Sequence, residues 1–337
     1  MLYVTTRDSN DPQTAYKTLH NNVASDGGCY IPFRLESFTP EYLAALKDKS
    51  FGQAIADILN YFFSVSISGW DVDFCIGRNA CKFFNLSAKI ALVKTWFNPG
   101  SSYDYIVDTL YSYLCKDAAA QKTPTKWVRI AVRIAVIFGV FGQIMRQNMV
   151  KESQAFDLAI SVDNINDLIA AWYAKCLGLP IGRIICGCSN SQIWDLLHRG
   201  ELNTNQLSEE QSMDLEFLLY SIFGQDEASA FLKCWEGRNA YVLESWLLDR
   251  MRKELFATVV SAPRVSTVIN SVYRTDAVII DPKTAIAYGA LQDFRAKTGA
   301  NNATVLLSDE TPMKKCQQVV KATGITEQAL AQLCDCR

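Results

Sequence analysis

Histidine is nearly absent from this chain. Only His20 and His198 occur in 337 residues, too few to support a histidine-rich metal site. His198 follows an amphipathic stretch, Ile193 to Leu197, with no cysteine or aspartate pair nearby to suggest catalysis. The sequence also has no G-x-S-x-G elbow, no Walker loop, no H-E-x-x-H helix and no dinucleotide fingerprint. No block of lysine and arginine appears and the net charge is −2, so no nucleic-acid footprint is expected. The opening residues, MLYVTTRDSN, lack the apolar core of an export signal, and a cytoplasmic protein is the expectation. The most apolar run, Ile134 to Met145, is interrupted by Gln143. It is shorter than the roughly 20 residues that a membrane span needs, and reads as a buried helix with no membrane role.

What is present is ordinary for a globular domain: 49% hydrophobic and 20% charged residues. Eleven cysteines in a chain read as unexported favour reduced thiols. Cys186 with Cys188 and Cys334 with Cys336 form C-x-C pairs, closer than the spacing usual in structural zinc sites. Buried or incidental thiols, and no metal, are expected.

Three zones follow along the chain. Residues 1–85 read as mainly helical after an extended opening and a turn at Gly27, Gly28 and Pro32. Residues 86–150 hold a strand at Lys89–Val93, a WFNPG turn, a helix from about Asp104 to Cys115 and a polar link. A second helix, Lys126 to Gln147, is capped by Thr125. Beyond 154, strands at Ala155–Ile160, Arg183–Cys188, Ala277–Ile280 and Ala303–Leu307 alternate with helices. Asp163 is read as the N-cap of a helix to Leu177, and Asp281-Pro282 and Thr311-Pro312 as helix starts. Residues 207–256 read as helical, and Trp172, Trp194, Trp235 and Trp246 as core. Strands separated by helices predict an α/β protein with a parallel sheet covered on both faces.

Five blocks resemble threonine synthase, a pyridoxal-phosphate enzyme of fold type II, in the family's order. They are MLYVTTR with ASDGGCYIP (Ala24–Pro32), DNINDLIAAWYAKCLGLPIGRII (Asp163–Ile185), QSMDLEFLLYSIFG (Gln211–Gly224), IDPKTAIAYGAL (Ile280–Leu291) and SDETPMKKC (Ser308–Cys316). A sixth segment, WFNPGSSYDY (Trp96–Tyr105), resembles the stretch that carries the family's cofactor lysine. The resemblance implies a core like the large domain of threonine synthase, split as residues 1–85 and 86–337.

The same resemblance places departures on the chemistry. Tyr105 stands where the family has the lysine that holds pyridoxal phosphate as a Schiff base, which a phenol cannot form. Asn98, Gly100 and Ser101 fill vestigial pocket positions beside it. The family's glycine-rich phosphate loop aligns with Asp163, Asn164 and Asn166, so a carboxylate stands where an anion would bind. Asp309 and Thr311 replace a threonine and a histidine near the pyridine end, and Lys283 replaces the histidine of Asp-Pro-His-Thr. Only the link at 116–125 remains where the family has a small lobe over its substrate.

Lys94 and Lys126, the nearest substitutes for the missing lysine, sit at segment ends where solvation is expected. Lys283 is likewise read as solvated, and Tyr105 as a packing residue on the face of Val107, Leu110 and Tyr113. The resulting expectation is a pseudoenzyme without cofactor. It binds a partner chain or small ligand through the old cleft, or self-associates over the surface bared by the missing lobe. The alternative is a pyridoxal-phosphate lyase with a rearranged or partner-completed site.

Overall fold

The computed structural model describes residues 1–77, 81–96, 102–115, 123–189 and 191–335. Asn98, Gly100, Ser101 and most of the 116–125 link lie outside the described residues.

The chain opens with a small antiparallel sheet. β1 (Leu2–Thr5) lies between β2 (Gln13–Thr14) and β3 (Tyr30–Pro32), with α1 (Ala15–His20) inserted. α2 (Pro40–Ala45) starts at Thr39, whose hydroxyl accepts from the Tyr42 N–H. α3 (Phe51–Phe63) and α4 (Gly69–Ile76) each carry a reciprocal capping box, Ser50 with Gln53 and Ser68 with Asp71.

The central sheet begins with β4 (Lys82–Ser87), β5 (Ile90–Lys94), β6 (Phe156–Ser161) and β7 (Ile181–Cys188). A separate two-strand pair, β8 (Glu201–Leu202) and β9 (Tyr241–Val242), precedes the last two members, β10 (Leu255–Val259) and β11 (Ala303–Ser308). The spatial order is β10-β7-β6-β11-β5-β4. All pairs are parallel except β4 with β5, so the sheet is mixed rather than wholly parallel.

Side-chain alternation divides the core into two layers, as the period of a strand requires. Ala91, Val93, Leu158, Ile160, Ile184, Val305 and Leu307 face one side. There α5 (Tyr103–Leu114), α6 (Lys126–Arg146), α7 (Ile165–Cys176), α8 (Ser191–Arg199) and α9 (Glu209–Phe223) contribute to the packing. α10 (Gln225–Glu236) and α11 (Ser245–Glu254) flank that layer. Leu92, Ala159, Ile185 and Leu306 face the other side, toward α12 (Ala262–Asp276), α13 (Pro282–Thr298), α14 (Cys316–Thr323) and α15 (Glu327–Asp335).

α6 is the spine of the first layer. Among the described residues it alone is long and apolar enough, by length and composition, to cross a membrane, so the shorter run read in the sequence understated it. It lies inside the protein with most of its length buried. Gly142 permits its closest approach, since a Cβ there would stand 2.5 Å from the Leu46 carbonyl oxygen.

Several sequence expectations need correction. Ala277–Ile280 is apolar and its Val278, Ile279 and Ile280 are buried, but it pairs with no strand among the described residues. Ala277 ends α12 in the left-handed region, and the residues after it lead into α13. Leu255–Val259 is a strand, and its first two residues fell at the end of the region read as helical, 207–256. Trp246 is 62% exposed rather than core.

Candidate functional site

Along the sheet, β6, β7 and β10 step successively one way, and the chain then returns to place β11 on the opposite side of β6. Such a reversal opens a crevice at the carboxyl ends of the strands, where ligands of open α/β sheets usually bind. The cleft found here is lined by Ser161, Asp163 and Asn164 after β6, Leu307 and Asp309 after β11, Asp167 on α7, Lys283 on α13, and Arg133 and Ile137 on α6. The cavity left between them is small, about 30 Å³.

Arg133 fills its centre. The guanidinium donates through Nη1 and Nη2 to the two carboxylate oxygens of Asp309, each at 2.8 Å, and through Nε to Asp167 Oδ1, also at 2.8 Å. Its plane lies against Tyr103, with Cζ 3.5 Å from the ring centroid. The side chain is 3% exposed. A buried guanidinium persists only when its donors are matched, and this fork-on-carboxylate geometry matches them. Burial favours loss of the proton, but Asp167 and Asp309 outweigh it and hold the Arg133 pKa well above its ordinary value. Burial pushes the Asp167 carboxyl up to about 6, against the pull of Arg133 and with the help of Asp309. One cation facing two carboxylates leaves one negative charge in excess, which favours retention of a proton.

The surrounding groups fix this cluster. Thr95 Oγ1 donates to Asp309 Oδ1 at 2.8 Å, and the Tyr103 N–H donates to the Asp309 carbonyl at 2.8 Å, tying β5 and α5 to the end of β11. Lys283 Nζ lies 2.8 Å from Glu310 Oε1, which also meets Lys314 Nζ at 3.1 Å. Burial raises the Glu310 pKa, but these two ammonium groups outweigh that and hold it below its usual value. Behind them Asp281, fully buried, caps α13 through the Lys283 and Thr284 N–H groups and accepts from Ser308 Oγ at 2.9 Å. Burial raises its pKa despite those bonds.

The sequence-derived site residues divide. Asp309, Asp163, Asn164 and Lys283 do meet at the cleft. Asp163 is not the cap of α7, however. Its Oδ1 accepts from the Ser189 N–H at 3.2 Å and from Ser189 Oγ at 2.6 Å, and Asn164 caps the helix instead. Lys283 is half exposed, as expected, but is also paired with Glu310 in the cleft wall. Thr311 is buried but turns away to cap the short 3-10 turn Pro312–Lys315. Tyr105 is 45% exposed and does not share the packed face of α5, where Tyr103, Ile106, Val107, Leu110 and Tyr111 are buried.

The two candidate substitute lysines are not solvated as expected: Lys94 is buried and Lys126 half-buried. Lys94 lies over the rings of Phe84 and Trp96 at 4.6 and 4.9 Å, and Lys126 pairs with Asp214. Sequence reasoning missed Arg133, Asp167 and Tyr103. An arginine inside a helix of buried apolar residues was the available signal, since such a charge must find partners in the interior. Among the described residues no group of three or more histidine, cysteine, aspartate or glutamate side chains is arranged to hold a metal ion.

Comparisons with known proteins agree with this architecture. Residues 2–79 match the family described as threonine synthase N terminus. The chain is 24% identical over 225 residues to human threonine synthase-like 1, covering 61% of this chain and 30% of that protein. It is 26% identical over 210 residues to threonine synthase of Pseudomonas aeruginosa, covering 58% of this chain and 43% of that one. These alignments therefore span less than half the length of either relative. Among solved structures, the fold resembles pyridoxal-phosphate-bound threonine synthase from Brucella melitensis, with TM-score 0.79, 18% identity and coverage of 99% of this chain and 94% of that one. Yeast threonine synthase gives 0.79 and 15%, covering 96% and 90%. The N-terminal match, the relatives and the fold thus agree in their similarity to threonine synthase.

Proposed function

We propose that this chain is a catalytically inactive member of the threonine synthase family, that its cleft takes no pyridoxal phosphate, and that its remaining role is binding. The observation that carries the reading is the Arg133–Asp309–Asp167 cluster, closed upon itself with Tyr103 beneath it. The residues present do not fit the family cofactor. A phosphate at the start of α7 would face the carboxylates of Asp163 and Asp167, and a pyridine ring would have to displace a guanidinium held by three hydrogen bonds. Lys283 is the one lysine among the described cleft-lining residues, and Glu310 holds it as an ammonium, above its ordinary pKa despite burial. A Schiff-base lysine must instead be reachable as the free amine.

The short connection supports the same reading. α5 ends at Leu114 and α6 begins at Lys126, which leaves residues 115–125 in the place of a substrate-covering lobe. Binding then belongs to the outer surface. On α4, Trp70 and Phe74 are 66% and 75% exposed and stack with centroids 5.7 Å apart. Large exposed aromatics of this kind favour association, and self-association of the chain is the partner this reading names. A cytoplasmic location is part of the proposal, in keeping with the free thiols of the buried Cys29, Cys186 and Cys188.

Borohydride trapping tests it. The protein is incubated with pyridoxal phosphate, reduced and mapped by mass spectrometry. The expected result is no stoichiometric adduct at any cleft lysine. A saturable adduct at Lys283 would overturn the reading and reinstate an active pyridoxal-phosphate enzyme with a rearranged site.

A further inference from the structure

The carboxylates around Arg133 have the layout of a receptor. Asp309 presents both oxygens edge-on to two nitrogens, Asp167 takes the third nitrogen at right distance, and Tyr103 supplies a flat face 3.5 Å from the central carbon. Carboxylate fork, second carboxylate and aromatic platform together recognise a planar, singly substituted guanidinium and discriminate against a point-charge ammonium. The site also has spare polar capacity. The Tyr103 hydroxyl is buried, in a residue only 9% exposed, and has no hydrogen-bond partner among the described residues.

We propose that the cleft is a guanidinium-binding site occupied in cis by Arg133, which acts as a built-in ligand and keeps the site shut. Removing the arginine while leaving its receptor intact opens a site for an external alkylguanidinium or amidinium. The charge count agrees. With Arg133 gone, Asp163, Asp167 and Asp309 outnumber Lys283 in the cleft wall, so the vacated position attracts a cation. Its size agrees as well, because truncation removes the planar group that now fills the interior of the cleft. The inference rests on the same closed cleft as the proposed function, but it concerns what the carboxylates recognise rather than whether chemistry occurs.

The test is Arg133→Ala with millimolar methylguanidinium as the probe, against methylammonium and sodium chloride at equal ionic strength. The expected result is a saturable rise in the thermal midpoint with methylguanidinium alone, about 2 °C at ten times its dissociation constant. Wild type and the triple variant Arg133→Ala/Asp167→Asn/Asp309→Asn should show no such rise. If Arg133→Ala is unfolded in buffer, the same titration is read as recovery of folded protein, and only methylguanidinium should restore it. No midpoint shift, no recovery, or an equal response to methylammonium would overturn the inference and leave the proposed function standing. An adduct of pyridoxal phosphate in the wild type would overturn the proposed function instead.

Discussion

The guanidinium carbon of Arg133 lies 3.5 Å from the centre of the Tyr103 ring. That contact fixes which tyrosine of α5 belongs to the cleft. Tyr103, at the first position of the helix, turns inward under the cation, while Tyr105, two residues on, turns out. A lysine at 105 would therefore project from the surface, whatever the family alignment places there.

The first prediction follows. Tyr105→Lys should leave stability within about 0.5 kcal/mol of wild type, as an exposed substitution does. It should produce no adduct with pyridoxal phosphate beyond slow surface labelling. Urea unfolding and peptide mapping after borohydride check both statements. A saturable cleft adduct at residue 105 would mean that α5 is rotated from the orientation described.

Glu216 gives the second. Its fully buried side chain joins α9 to the N-terminal strand region, accepting from Thr6 Oγ1, from Arg7 Nε at 3.1 Å and from Arg7 Nη2 at 3.0 Å. Glu216→Ala should cost roughly 3 kcal/mol, and Glu216→Gln less, since the amide oxygen keeps one acceptor. Urea midpoints of the two variants separate these costs. Equal stability of Glu216→Ala and wild type would show that the link does not hold the N-terminal region.

The third concerns pH. Asp167 has a folded pKa raised to about 6, above its unfolded value near 3.8. In that window the folded state binds more protons than the unfolded state, so this group's contribution to stability falls as pH rises from about 4 to about 6. Asp167→Asn removes that slope. Thermal midpoints measured across this range should decline more steeply in wild type than in the variant, after both are referred to pH 4. Parallel curves would place the titration elsewhere.

The fourth tests packing. Gly142→Ala puts a methyl group 2.5 Å from the Leu46 carbonyl oxygen, a backbone atom with little room to move. It should destabilise by roughly 1–3 kcal/mol, although alanine is the better helix former. A stabilised variant would show that α6 can shift away from Leu46.

Much of the fold was legible because its signals are local. Thr125, Asp281 and Thr311 were readable as caps or helix starts, and each accepts the backbone N–H that such a cap requires. The strands at 156–161 and 303–308 are short apolar runs between helices, and were placed to within a residue or two. The Leu255–Val259 strand was lost because it follows α11 with no turn residue to mark the change. Ala277–Ile280 deceived in the opposite sense. Its apolar run is buried by packing beneath α13, and periodicity cannot tell such a segment from a paired strand.

The site was half legible. Asp309, Asp163 and Lys283 came from the family alignment, which carries positions but not side-chain directions. Arg133 came from neither alignment nor motif, because its partners lie 34 and 176 residues away. Only the fold brings them together.

The central claim is that Arg133 occupies the cleft in place of a cofactor. The most direct measurement is nitrogen-15 NMR of the Arg133 side chain, assigned by its loss in Arg133→Lys. The account expects slowly exchanging Nε–H and Nη–H signals, as three buried hydrogen bonds require, and no change on adding millimolar pyridoxal phosphate. A saturable shift or loss of those signals with pyridoxal phosphate would contradict it.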